Sequence, residues 1–175
     1  MSFENLIDKV IDRIQNELDS SFEVEASGRH VHLSRKELDA LFGTGYELTK
    51  AKDLSQPGQY ASKERLTVVG PKGAFHNVVI LGPVRKESQV EVSLTDCLQL
   101  GVKAPIRESG DIEGTPGIVL VNGDKSVSLD KGLIVAKRDV HMTPEDAEKI
   151  GVKNHDIVKV NVEGARPLII DDVVI

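Results

Sequence analysis

Two histidines one residue apart, His30 and His32, stand in the run Arg29-His30-Val31-His32-Leu33-Ser34, and an altered copy returns as Arg138-Asp139-Val140-His141-Met142-Thr143. Side chains alternate faces along a strand, so His30 and His32 are expected to point the same way, as are Asp139 and His141. Paired imidazoles, or an imidazole beside a carboxylate, on one strand face are suited to binding a metal. Each run leads into a helix start: Ser34 with Glu37, and Thr143 with Asp146, place a hydroxyl at the N-cap and an acid three residues on. Pro144 takes the first helical position, where its missing N–H costs nothing. Two such strand ends facing one cleft would make a metal site.

Between the two runs lies Gly82-Pro83-Val84-Arg85-Lys86-Glu87-Ser88-Gln89-Val90-Glu91-Val92-Ser93. Arg85 follows a tight Gly-Pro break, and Gln89, Glu91 and Ser93 are expected on one strand face. A carboxylate aligned with an amide, close after an arginine, suits a site that holds both a cation and an oxyanion. A second cluster, Pro105-Ile106-Arg107-Glu108-Ser109-Gly110-Asp111, again sets arginine beside serine, glycine and an acid. His76 reads as a surface or hydrogen-bonded imidazole, His155 as a turn residue, and Cys97 as a small packing residue on a short helix.

The elements that must carry these groups are short. Phe3, Leu6, Ile7, Val10, Ile11, Ile14 and Leu18 fall at helical spacing and predict an amphipathic helix over residues 1–20. A strand follows over residues 22–33, then a helix over 34–42 stopped by Gly43-Thr44-Gly45. Strands are expected at 46–49, 60–61, 65–70, 74–81, 88–92, 118–121, 125–129, 133–137 and 157–162. Pro71-Lys72-Gly73 and Asn122-Gly123 are hairpin signals, and Thr95-Asp96 is a helix start. Leu100-Gly101-Val102-Lys103 and Ile150-Gly151-Val152-Lys153 echo one another as helix ends. Many short strands with few helices indicate barrel architecture, and a repeat of roughly a hundred residues reads as two similar small barrels rather than an array.

Composition bounds the function classes. The 175 residues are 39% hydrophobic and 29% charged, ordinary for a globular protein, and at 3% aromatic without tryptophan the core must be built from Val, Ile and Leu. A net charge of -6 argues against non-specific nucleic-acid binding, so an anionic substrate has to be met by local positive charge. The single Cys97 excludes an internal disulfide and a cysteine-based zinc site. No stretch approaches the roughly 18 apolar residues of a membrane span, and a secretory signal is lacking, so a cytoplasmic protein is expected.

The ordered motifs G-R-H-V-H-L-S, G-P-V-R-x-x-x-Q-V-E-V-S-x-T-D, P-x-R-x-S-G-D and A-x-R-x-V-H-M-T resemble the PduL-type phosphotransacylases, or phosphate propanoyltransferases, of bacterial microcompartments. The similarity runs from about Glu25 to the C-terminus. It implies acyl transfer between coenzyme A and inorganic phosphate, a fold of two small β-barrels with short capping helices, and two zinc ions per chain. By the same resemblance His30, His32 and Glu91 bind the first zinc, with the coenzyme A sulfur as fourth ligand. Arg85 grips phosphate with Ser109 beside it, Gln89 and Arg107 assist in binding, and Asp139 and His141 belong to the second zinc. Zinc on sulfur stabilises a thiolate, which attacks an acyl phosphate carbonyl, or phosphate attacks the thioester in reverse.

The sequence departs from the family in two places. Asp139 stands where the family has histidine, and a third histidine of the second zinc is expected beyond Ile175. A shortened chain with an incomplete second barrel and a weakly held second metal is therefore expected. The domains read as the helix 1–20, a first barrel over 21–93 with part of 94–137, and a second over 138–175 with the rest of 94–137. A homo-oligomer is expected, and residues 1–20 read first as a helix packed on its own domain or on a second subunit, with a docking segment for microcompartment shell or cargo as the alternative. Two rival readings remain: a zinc hydrolase, which would not need Arg85 and Ser109, and a double-psi-like cofactor-binding module, which would show no coenzyme A-dependent chemistry.

Overall fold

The computed structural model describes residues 6–11, 14, 21–22, 24 and 27–175. The chain divides into two compact units, one of residues 27–137 and one of residues 1–26 with 138–175. The amphipathic helix expected over residues 1–20 lies largely outside the described residues. Within it, residues 6–11 are helical, with Leu6, Ile7, Val10 and Ile11 exposed.

The 27–137 unit is mainly β. It contains β1 (His30–His32), α1 (Arg35–Phe42), β2 (Lys50–Asp53), β3 (Tyr60–Val69), β4 (Ala74–Gly82) and β5 (Gln89–Val92). After these come α2 (Leu94–Leu100), β6 (Ile106–Arg107), β7 (Val119–Asn122), β8 (Lys125–Ser128) and β9 (Leu133–Ala136). The nine strands form one mixed sheet in the order β6-β9-β5-β1-β4-β3-β7-β8, with β2 added on β3. β1 is parallel to β4 and antiparallel to β5, and β5 is parallel to β9. Local chemistry sets the hairpins. Gly70 N–H donates to the Gly73 carbonyl at 2.9 Å to close β3–β4, and Asn122 opposite Lys125 closes β7–β8 around Gly123, whose φ is 60°. Val31, Leu33, Leu66, Ile80, Val90 and Leu120 lie at the centre of an aliphatic core, and α1 adds Leu38 and Leu41 to it. The core is aliphatic as the aromatic-poor composition requires.

In the other unit α3 (Pro144–Ile150) precedes the antiparallel pair β10 (Ile157–Val162) and β11 (Leu168–Val174). Thr143 caps α3, its hydroxyl accepting the Asp146 N–H at 3.1 Å with Pro144 in the first turn, as the sequence predicts. The echoed helix ends also share one geometry. Gly101 and Gly151 both take the left-handed conformation, with φ of 74° and 75°, and each N–H returns to a carbonyl of its own helix.

Several expectations are corrected. Residues 46–49 form no strand; β2 begins at Lys50, because side chains occupy the preceding backbone. The Tyr46 carbonyl accepts from Arg35 at 2.7 Å, the Thr49 N–H donates to Glu64 at 3.1 Å, and the Tyr46 ring stacks on Phe42. The strand expected over 22–33 starts, among the described residues, at His30. Ser34 makes no side-chain cap; its hydroxyl donates to the Glu37 carboxylate instead. The helix start read at Thr95-Asp96 belongs to Ser93, which leaves the strand face shared by Gln89 and Glu91 to form a full capping box with Asp96. Ile106 and Arg107, expected in an irregular segment, form a short strand on β9.

Candidate active site

Cross-strand register assembles the site. In the antiparallel β1–β5 ladder His30 lies opposite Glu91 and His32 opposite Gln89, while Val31 faces Val90 on the other side. Directly opposed residues of such a pair share a face, so the two imidazoles, the carboxylate and the amide meet. His30 Nε2 is 3.3 Å from Glu91 Oε2 and His32 Nε2 is 3.8 Å from Glu91 Oε1. The imidazole rings meet edge to face, with centroids 5.0 Å apart. All three residues are buried, and their ligand atoms lie within 4.8 Å of one another.

Hydrogen bonds fix each group. His30 Nδ1 lies 3.0 Å from the Gly28 carbonyl, which favours a proton on Nδ1 and turns Nε2 toward Glu91. Gln89 donates to Glu91 Oε1 at 2.6 Å and to Ser109 Oγ at 3.0 Å, while its carbonyl oxygen accepts the Gly110 N–H at 2.7 Å. Ser109 donates to Glu91 Oε1 at 3.1 Å and accepts from Arg85 Nη1 at 3.1 Å. With the Gln89 amide as a second donor, this hydroxyl uses its one proton and both lone pairs. Arg85 is half-buried, and its own N–H donates to the Leu33 carbonyl at 2.9 Å after the cis Gly82–Pro83 peptide.

Electrostatics divide the roles. Burial opposes the charge on Glu91, but His30, His32 and Ser109 outweigh it, and the carboxyl is held well below its ordinary value. Burial, then the charges of Arg85 and His30, push His32 far down and keep it neutral. Burial also disfavours a charged His30, yet the Glu91 carboxylate raises that ring above the usual histidine value. Burial lowers the Arg85 guanidinium, with Glu91 opposing.

These donors fit a divalent cation. The carboxylate is ionised and His32 is neutral, and a bound cation would take the place of the proton that Glu91 favours on His30. Two imidazoles and one carboxylate are borderline donors of the kind zinc takes, and Gln89 and Ser109 orient the carboxylate from behind.

Of the residues singled out by sequence, His30, His32, Glu91, Gln89, Ser109 and Arg85 converge. Arg107 instead pairs with Asp111 at 3.4 Å on an exposed edge. Asp139 and His141 belong to the other unit, where they pair with each other at 2.5 Å and are both largely accessible. Sequence reasoning saw Glu37 as a capping acid and did not single out Ser88. Glu37 is buried and accepts from Ser34 and Ser88, and nothing in the spacing of residues 34, 37 and 88 signals that contact.

A family model described as "Phosphate propanoyltransferase" matches residues 23–175. The chain belongs to this family. Proteins named phosphate propanoyltransferase that resemble it include one from Enterococcus faecalis, 66% identical over 99% of this chain and 82% of that protein. One from Leptotrichia buccalis is 67% identical over 91% of this chain and 75% of its own length. Another, from Listeria monocytogenes, is 65% identical over 90% and 74%. Phosphate propanoyltransferases are acyl-group transferases, and the residues that converge here include a group that could hold a cation and a guanidinium bonded to the same serine as its carboxylate.

Proposed function

We propose that this chain transfers a short acyl group, propanoyl or acetyl, between coenzyme A and inorganic phosphate at the His30–His32–Glu91 site. One observation carries the reading: the Ser109 hydroxyl joins the Arg85 guanidinium to the Glu91 carboxylate, so the cation-binding and oxyanion-binding halves share an atom. His30, His32 and Glu91 would hold zinc, which when bound supplies the Lewis acidity that keeps a coenzyme A thiol deprotonated near neutral pH.

The protein's residues set up the displacement. Arg85 binds the phosphate oxygens through its planar fork and offsets charge that develops on the acyl oxygen. Ser109 and Gln89 hold Glu91 and the 108–111 loop in place. In the direction of thioester synthesis the thiolate sulfur bonds to the carbonyl carbon, the carbon–oxygen bond to phosphate breaks, and inorganic phosphate leaves with that electron pair. In reverse a phosphate oxygen attacks the thioester carbon and the thiolate departs.

Asp139 and His141 supply a second, weaker metal set in this reading, and Arg107 is an accessory to phosphate binding. The two units, 27–137 and 138–175, correspond to two small barrels; burial of β1 and β5 throughout supports curvature of the first sheet. The exposed apolar residues Leu6, Ile7, Val10 and Ile11 support a docking role for residues 1–20, within a homo-oligomer or a microcompartment. The test follows thiol release from propanoyl-CoA. Release that requires phosphate and yields propanoyl phosphate supports the reading, whereas phosphate-independent release identifies a hydrolase and overturns it.

A further inference from the structure

The ladder that carries the site is clamped at both ends. At one end Arg29 holds Asp96 in a two-pronged pair, at 2.7 and 3.2 Å. At the other, the Glu37 carboxylate takes no part in the chemistry proposed above, yet it is buried beside the segment that carries Arg85. Ser34, two residues past β1, and Ser88, which precedes β5, both donate hydroxyl protons to the same oxygen, Glu37 Oε2. The Ser34 N–H in turn donates to Ser88 Oγ at 2.8 Å. Arg85 bridges backbone to backbone beside Ser34, its N–H on the Leu33 carbonyl.

We propose that Glu37 is a positioning residue for phosphate binding: through Ser34 and Ser88 it pins the 85–88 segment to the end of β1 and so sets where the Arg85 guanidinium stands. The segment is held at two points three residues apart, the backbone of Arg85 and the hydroxyl of Ser88. Loss of the Glu37 carboxylate leaves two buried hydroxyls without their acceptor and leaves the Ser34 N–H bond to Ser88 Oγ to hold that second point, which loosens the chain beyond Arg85. The guanidinium then no longer holds its place beside Ser109, a misplacement that acts on the bound oxyanion rather than on the thiol side of the site.

The inference rests on the reading of Arg85 as the phosphate grip, and the experiment separates the two. Steady-state kinetics in the phosphate-consuming direction are measured for Glu37→Ala, Glu37→Gln, Ser88→Ala and Arg85→Lys. Glu37→Ala is expected to raise the KM for phosphate by at least about fivefold while kcat and the KM for propanoyl-CoA stay within about twofold. Ser88→Ala moves the same constant in the same direction. Glu37→Gln keeps it near the parent value, because both serines donate to one oxygen and an amide carbonyl in that place accepts both. The other oxygen faces Lys36 Nζ at 3.6 Å, a cation exposed to solvent. An unchanged phosphate KM in Glu37→Ala and Ser88→Ala, with a lowered melting temperature or kcat, makes the cluster merely structural and overturns the proposal. So does a Glu37→Gln variant as impaired as Glu37→Ala. If Glu37→Ala does not fold, Ser88→Ala decides alone. A phosphate KM that Arg85→Lys leaves unmoved overturns the phosphate-grip reading and this inference with it; one that moves while both clamp variants stay flat overturns the inference alone.

Discussion

Glu91 is the residue on which the site's two halves depend. It faces His30 and His32 and receives Gln89 and Ser109, so neutralising it removes both the carboxylate that would hold a cation with the imidazoles and the charge that balances Arg85. Glu91→Gln keeps the shape and is expected to lose one equivalent of zinc per chain, read by elemental analysis after gel filtration. Unchanged zinc in that variant would place the metal elsewhere. Arg85→Lys keeps the charge but loses the planar fork that, in the proposed function, would span two phosphate oxygens. It should raise the phosphate KM about tenfold, equivalent to about 1.4 kcal/mol, and leave the KM for propanoyl-CoA little changed. Equal loss on both substrates in initial-rate measurements would mark a structural arginine.

At the scale of elements the β1–β5 ladder carries the candidate site, and its two clamps differ in kind. The Arg29–Asp96 clamp is also the capping box of α2: Asp96 accepts the Ser93 N–H at 3.0 Å while Ser93 accepts the Asp96 N–H. Arg29 stacks over the Phe75 ring at 3.9 Å, which anchors the guanidinium to the core. Burial raises the Asp96 carboxyl, but the bonds from Arg29 and Ser93 outweigh it and hold the pKa below its ordinary value. A depressed folded-state pKa adds stability above the unfolded value of about 3.9, and that stability is lost as pH falls through the folded pKa. Asp96→Asn should therefore cost about 1–2 kcal/mol at neutral pH, and the gap to the parent should close below about pH 4. Thermal melts across pH 3–7 check this, and a gap independent of pH would contradict it. Gly132, just before β9, shows how closely that part of the chain approaches this ladder. It has φ of 108°, and a Cβ there would stand 2.5 Å from the Ser88 carbonyl, so Gly132→Ala must shift one of these two backbones against the other.

For the whole molecule the two units offer unequal sets of groups to a metal. The 27–137 unit supplies three buried donors oriented by Gln89 and Gly28, whereas Asp139 and His141 are two accessible donors already paired with each other. Two protein donors are too few for a stable zinc site. One equivalent of zinc per chain should survive gel filtration, and Asp139→Ala should leave that equivalent in place. Retention of two equivalents, with one lost in Asp139→Ala, would show that the second set is completed by further groups. Among the described residues no helix is long and apolar enough to cross a membrane.

How much of this was legible in the sequence follows from the range of each interaction. Alternation along a strand put His30 with His32, and Gln89 with Glu91, because that rule needs only the two-residue period of the backbone. Hairpin turns and helix ends were legible for the same reason, since Gly73, Gly101, Pro144 and Thr143 act on neighbours a few residues away. The ordered motifs were specific enough to identify the family before any contact was known. Register was beyond local reach: a slip of one residue between β1 and β5 would have turned Glu91 away from both imidazoles, and packing of Val31 and Val90 at the core decides against it. The tertiary structure likewise took Ser93 from the strand face to cap α2 and turned Glu37 from a capping acid into a buried acceptor for Ser88, 51 residues away. Such pairings depend on which segments the core brings together, and that is a property of the folded chain rather than of any stretch within it.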